Sequence, residues 1–143
     1  MKIFIASDHA ALNEKNELAE YLKLKHETED LGPFSPESTN YPEWVKKLVQ
    51  RIQQEKAVGI LLCGSGIGVS MAANRYKTIR AALCRDEDDA KMARLHNDAN
   101  VLCLSGRKTP ISEIKKIADT FLSTPFEGGR HQVRIDLFNC LGE

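Results

Sequence analysis

The sequence predicts an α/β protein. Its expected form is a three-layer α/β/α sandwich, with helices on both faces of a five-stranded parallel sheet and one further helix at the C-terminus. Three observations carry this expectation. Short apolar runs recur without the alternation of a half-exposed strand, as in strands buried on both faces. Amphipathic helical patterns separate those runs, which makes a βα repeat. The chain has 143 residues and no linker, internal repeat or low-complexity stretch, so it is read as a single domain, 1–143, long enough to bury a core.

The elements follow in order. "KIFIAS" at 2–7 is the first strand and runs into Asp8-His9. The helix behind it gathers Ala11, Leu18, Tyr21 and Leu22 on one face. "HETEDLG" at 26–32 is polar and suits an edge strand. Pro42 stands where a helix starts, and Trp44, Val45, Leu48, Val49 and Ile52 then share a face. "AVGILLC" at 57–63 is the third strand, and a glycine turn leads from it into the helix "VSMAANRY". "IRAALC" at 79–84 is the fourth, again a short, mostly apolar run. A helix from about Asp86 to Asn97 precedes the fifth strand, "NVLCLSG" at 100–106. After Pro110 the positions Ile111, Ile114, Ile117, Ala118, Phe121 and Leu122 repeat the helical face. "GGRHQVRIDLFNCLGE" reads as a C-terminal helix opened by glycines.

Composition narrows the function. The chain is 42% hydrophobic and 28% charged, as in a soluble globular protein. Twenty basic residues balance twenty acidic ones, which leaves no basic field for nucleic acid or an anionic membrane. A small ligand recognised by local charge is expected instead. No apolar run approaches the ~20 residues of a membrane span. The N-terminal apolar stretch is too short for a signal peptide and is soon followed by charges. A cytoplasmic protein with reduced thiols is therefore expected. Cys63, Cys84, Cys103 and Cys140 form no CxxC pair, so no metal site is expected.

Crossover handedness locates a candidate site. Right-handed connections wind such a sheet in two directions, and ligands sit beyond the carboxyl ends of the strands where the direction reverses. If the strand order begins 2-1-3, that crevice lies between the first and third strands. "SDHA" and "CGSGIG" end those strands and should meet there.

Each motif has two readings. Gly64-Ser65-Gly66-Ile67-Gly68 resembles a dinucleotide turn, but the third glycine comes one residue early and the strand is the third, not the first. Asp86 lies near the spacing of a ribose-binding acid, yet follows Cys84-Arg85, and no G-K-[S/T] follows the turn. The turn either presents amides to an anion or is a tight βα turn without a ligand. Cys63 is either a small buried hydrophobe, as Cys84 and Cys103 read, or a thiol activated at a helix start. Asp8-His9 either caps a helix or binds phosphate and carries protons. His96 and Asn97 are either a structural helix end or part of a site. Arg107 follows the fifth strand and shares the edge with Cys63. Arg130 and Arg134 are one helical turn apart, forming either an exposed basic face or a clamp on one anion.

These positions cannot all serve one site within one chain. The helix from Asp86 to Asn97 returns from the carboxyl to the amino edge, and about twelve helical residues cover ~18 Å. His96 should therefore lie far from the Cys63 of its own chain. Arg130 and Arg134 follow another returning helix. A single site holding both sets needs two chains, hence an isologous homodimer with two shared sites.

Together, "SDHA", "NYP" at 40–42, "CGSGIGVSMAANR", "HNDANVL" and "EGGRHQVR" resemble the ribose-5-phosphate isomerase B family. That family also holds allose-6-phosphate isomerases and galactose-6-phosphate isomerase subunits. The resemblance spans nearly the whole chain. It implies a Rossmann-like fold, active sites at a dimer interface, and a cofactor-free aldose–ketose isomerase of sugar phosphates, acting in the pentose phosphate pathway when ribose 5-phosphate is the substrate. By position it implies that Cys63 moves the proton between C1 and C2, that Ser65 stabilises the enediolate, and that His96 opens the ring with Asp8 assisting. It implies that His9, Arg107, Arg130 and Arg134 hold the phosphate. Tyr41, Asn97, Gly64 and Gly68 would line the sugar. Ser65 stands where relatives often carry Thr, and Asn40 where many carry Asp.

Ribose 5-phosphate is the expected substrate, with ribulose 5-phosphate as product. A six-carbon phosphosugar is the alternative within the class. A non-catalytic nucleotide-binding module is the alternative outside it, and tight nucleotide affinity without isomerase activity would favour it. Dimers pairing into tetramers are a further option.

Overall fold

The computed structural model describes residues 1–142. Its strands are β1 (Lys2–Ser7), β2 (Glu27–Gly32), β3 (Val58–Cys63), β4 (Ala81–Leu83) and β5 (Val101–Ser105). Its helices are α1 (Leu12–Lys23), α2 (Tyr41–Gln54), α3 (Ile67–Ala73), α4 (Glu87–Leu95), α5 (Ile111–Ser123) and α6 (Arg130–Asp136), with 3-10 turns at His9–Ala11 and Leu137–Cys140. The sheet order is β2-β1-β3-β5-β4, and every pairing is parallel.

The inner strands are apolar on both faces because both faces are covered. On β1, Ile3 and Ile5 point into one core with α1, α4 and α5, while Phe4 and Ala6 point into the other with α2 and α3. Period-two alternation splits the strand between the two layers. The polar β2 is an edge strand, as its composition predicts. No helix among the described residues is long and apolar enough to cross a membrane.

Two elements depart from the sequence expectation. The run 79–84 does not become an inner strand: β4 keeps only Ala81–Leu83, at the other edge and half-buried. The amide of Asn74 does what a further strand would do, donating to the Ala81 carbonyl at 2.9 Å and accepting its N–H at 2.8 Å. That closes one exposed stretch of the edge. The C-terminal helix also splits into the short α6 and a 3-10 turn, opened by Gly128 and Gly129 at positive φ.

Loop 33–40 is held in place from below. Fully buried Lys15 on α1 donates to both carboxylate oxygens of Asp30, at 2.9 and 2.7 Å, and to the Pro33 carbonyl at 2.8 Å. The Trp44 indole donates to the Thr39 hydroxyl at 3.0 Å. A buried charge satisfied this way fixes where the loop enters and leaves.

Candidate active site

β1 and β3 lie side by side where the winding direction reverses. The amide of Asp8 continues the ladder by donating to Leu62 at 3.2 Å. This brings Asp8-His9 and Cys63-Gly64 to one crevice at the carboxyl edge. Asp8 is nearly buried, and one carboxylate oxygen accepts the Ala10 N–H at 3.0 Å. The capping reading therefore holds for that oxygen, and it also fixes the side chain at the crevice. His9 Nδ1 accepts the Thr39 N–H at 3.0 Å. That bond puts the ring proton on Nε2, where it can be donated to an anion.

The glycine turn is lashed to β5. Gly106 and Arg107 donate their amides to the carbonyls of Cys63 and Gly64 at 2.9 and 3.1 Å, and the Ser105 hydroxyl reaches Gly64 at 2.7 Å. Gly66 adopts φ +76°, which favours glycine, and an added Cβ would lie 2.6 Å from Leu83. Two neighbours explain the other glycines. The Arg107 guanidinium lies across Gly64, about where a Cβ would sit at 3.2 Å from it. The Tyr41 ring lies on Gly68, where a Cβ would come within 2.7 Å.

The sequence leads one to expect the turn amides to face a ligand. The structure commits two of them internally: Ile67 N–H donates to the Ser65 hydroxyl at 3.2 Å, and Gly66 N–H donates to the Cys63 sulfur at 3.1 Å. The second bond is the more informative. The amide fixes the sulfur at the mouth of the turn. α3 is only seven residues long, so this single donor, not a long helix dipole, is what the turn offers the sulfur. Burial, followed by the nearby Asp89 and Asp86, pushes Cys84 up to about 12, and burial pushes Cys103 well above its ordinary value. Asn40 immediately precedes Tyr41 and caps α2 without a side-chain hydrogen bond.

The remaining candidates form a second group. His96 ends α4, and the chain from Asn97 to Asn100 crosses the amino edge, where the Asn100 carbonyl accepts from Gly59. Cys63 pairs with Ser105 at the opposite end of the same strands. α4 has nine residues rather than twelve, yet still separates the two ends by about 13 Å. α6 joins this second group. Its His131 stacks on His96 with ring centroids 4.2 Å apart and planes at 15°. Arg130 and Arg134 stand exposed on the same helix. Asn97, next to His96 in the chain, is exposed, its carbonyl taken by Arg80.

Two residues here escape the sequence patterns: His131 and Glu127. The Glu127 carboxylate lies 3.7 Å from His96 Nε2 and 3.8 Å from His131 Nε2. Their ligand atoms fall within 4.8 Å of one another, a grouping that linear spacing does not show. Nearly parallel rings send their lone pairs along parallel lines, and Arg130 and Arg134 oppose a cation. The donor set fits proton handling better than a divalent metal. The signal available in sequence was the adjacency of Glu127 and His131 to the two arginines.

A doubly wound α/β protein with a thiol, an Asp-His pair and a glycine turn at its switch point has the makings of a small-molecule enzyme. The chain belongs to the ribose/galactose isomerase family, whose model matches residues 3–138. It is 48% identical over 138 residues to a probable ribose-5-phosphate isomerase B of Mycoplasma genitalium, covering 94% of this chain and 91% of the relative. A crystal structure of a ribose 5-phosphate isomerase from Thermotoga maritima superposes with TM-score 0.95 at 52% identity, covering 98% of both chains. The Mycoplasma genitalium ribose-5-phosphate isomerase B, solved with bound ribulose-5-phosphate, matches with TM-score 0.93 at 46% identity, over 97% of this chain and 94% of that one.

Proposed function

We propose that the protein, as one domain of 143 residues, interconverts ribose 5-phosphate and ribulose 5-phosphate through an enediolate. The observation that carries this is the Cys63 sulfur, held by the Gly66 amide at 3.1 Å in the switch-point crevice. A base poised there takes the C2 proton of the open aldose and returns it to C1. The Ser65 hydroxyl only accepts from the Ile67 amide and keeps its own proton for the developing enediolate. Phosphate binding by His9 and Arg107, with Arg130 and Arg134, supplies remote binding energy that positions the carbons. Tyr41, Gly64, Gly68 and Asn97 line the sugar, and His96 with Asp8 opens the ring. None of these steps calls on a cofactor.

The site is proposed to be shared across a homodimer, because His96, Arg130 and Arg134 lie at the opposite sheet edge from Cys63. Exposed apolar side chains support this. Ile67 and Met71 on α3, and Val133, Leu137, Phe138 and Leu141 on the C-terminal segment, are 39–67% exposed in one chain, Met71 the most. Such surface marks an interface. A cytoplasmic setting suits a reaction that depends on a reduced cysteine.

The decisive assay compares ribose 5-phosphate with allose 6-phosphate. We expect kcat/KM for the pentose to exceed that for the hexose by about tenfold or more, the discrimination that one misfitted carbon allows. The reverse ranking would assign a six-carbon substrate, and nucleotide binding without isomerisation would remove the enzyme reading. Gly68→Ala should press on the Tyr41 ring and raise KM about tenfold with little change in Tm. An unaltered KM would take Tyr41 out of the sugar wall.

A further inference from the structure

We propose that Glu127 is a positioning residue that holds His96 as the proton donor for ring opening, with His131 as the flat wall fixing its plane. This rests on the ring-opening role proposed above for His96.

The segment before α6 is tied to the end of α4. The Glu127 amide donates to the Leu95 carbonyl at 3.0 Å, and Arg94 Nε donates to the Thr124 carbonyl at 3.3 Å. These bonds set the Glu127 carboxylate beside the two imidazoles. His131 is buried, and its Nε2 has no hydrogen-bond partner among the described residues. Two stacked rings do not both carry a proton easily, since like charges that close repel. Burial, then the neighbouring His96, pushes His131 down, so it stays neutral and leaves the charge of Glu127 to the more exposed His96. The other charges at this end include Arg130 and Arg134 on α6, Arg94 on α4, and the Arg80–Asp98 pair beside it. Arg94 is engaged with Asp98 at 2.8 Å, while the α6 pair opposes a second cation. Glu127 is the only carboxylate that the described contacts place against His96.

The step balances without a further reactant. The C1–O4 bond of the furanose breaks, and its electron pair goes to O4, which takes the His96 proton. The C1 hydroxyl loses its proton to a base, for which Asp8 of the other chain is suited, and C1 becomes the aldehyde. The carboxylate 3.7 Å from His96 Nε2 holds the ring whose proton this step consumes.

Ribulose 5-phosphate is a ketose that cannot close to a furanose, because its 5-hydroxyl carries the phosphate. Exchange of its C1 proton in D2O therefore needs Cys63 chemistry but no ring opening. In Glu127→Gln, the forward rate on ribose 5-phosphate should fall about tenfold, within the range of a weakened general acid. C1 exchange on ribulose 5-phosphate should stay within about twofold, and Glu127→Asp should recover part of the loss. Equal losses in both assays, or no recovery in Glu127→Asp, would overturn the inference and leave Glu127 a structural residue. His96→Ala separates the two levels. If it spares the forward rate relative to exchange, the ring-opening role itself fails. If it lowers that ratio while Glu127→Gln does not, only the role of Glu127 fails.

Discussion

Replacing Cys63 with alanine should lower kcat on ribose 5-phosphate by about 10⁴-fold, the upper range for loss of a positioned base. The thiol is 5% exposed at the end of β3, and the backbone around it is held by Gly106 and Arg107, not by the side chain. Folding should therefore survive, with a cost of about 1 kcal/mol for trimming a small buried group. Sugar phosphate should still bind, since the proposed phosphate ligands are untouched. The measurement is proton exchange from ribulose 5-phosphate in D2O alongside binding calorimetry. Loss of exchange with binding retained is the expected pair of results. Normal turnover would transfer the base role elsewhere, and neither Cys84 nor Cys103 could take it, since burial holds both thiols protonated.

Mixing two inactive variants should restore activity. Cys63→Ala lacks one group of site residues and His96→Ala the other, and the fold puts those groups at opposite edges of the sheet. In a mixed dimer with shared sites, one site receives both defects and the other receives neither. Random pairing makes half the dimers mixed, each with one intact site, so activity should return to about a quarter of wild type. Each variant alone should stay near its own background. Failure to recover activity after subunit exchange, verified by mass spectrometry of the mixed species, would mean that each site is built from a single chain. The exposed Met71 and Val133 are the positions where a charge should then block recovery by preventing pairing.

Much of the fold was legible because each layer leaves a local trace. β1, β3 and β5 are apolar on consecutive residues since both faces are covered, and β2 is polar since it is an edge. Pro42 and Pro110 stand at the starts of α2 and α5. β4 misled for a specific reason. Its residues look like an inner strand, but the fold places it at the rim, where Asn74 from the preceding helix end replaces a neighbouring strand. No period in the sequence records a side chain standing in for a strand.

The candidate site divides in the same way. Asp8, His9, Cys63 and the glycines were recognisable because they close strands at a predicted switch point, and topology alone brings them together. The order β3-β5-β4 was not, because either placement of the last two strands satisfies right-handed crossovers. Placing β5 inside brings Ser105, Gly106 and Arg107 onto the turn.

The sequence by itself determined the layers, the switch point, the residues at it and the separation of His96 from Cys63. Those follow from hydrophobic period, chain direction and helix length, which are local quantities. Only the tertiary structure decided that the Gly66 amide points at sulfur, that Tyr41 and Arg107 need Gly68 and Gly64 bare, and that Glu127 and His131 close around His96. Those depend on where segments distant in sequence stop against one another, and contact at ångström range leaves no pattern in the order of residues.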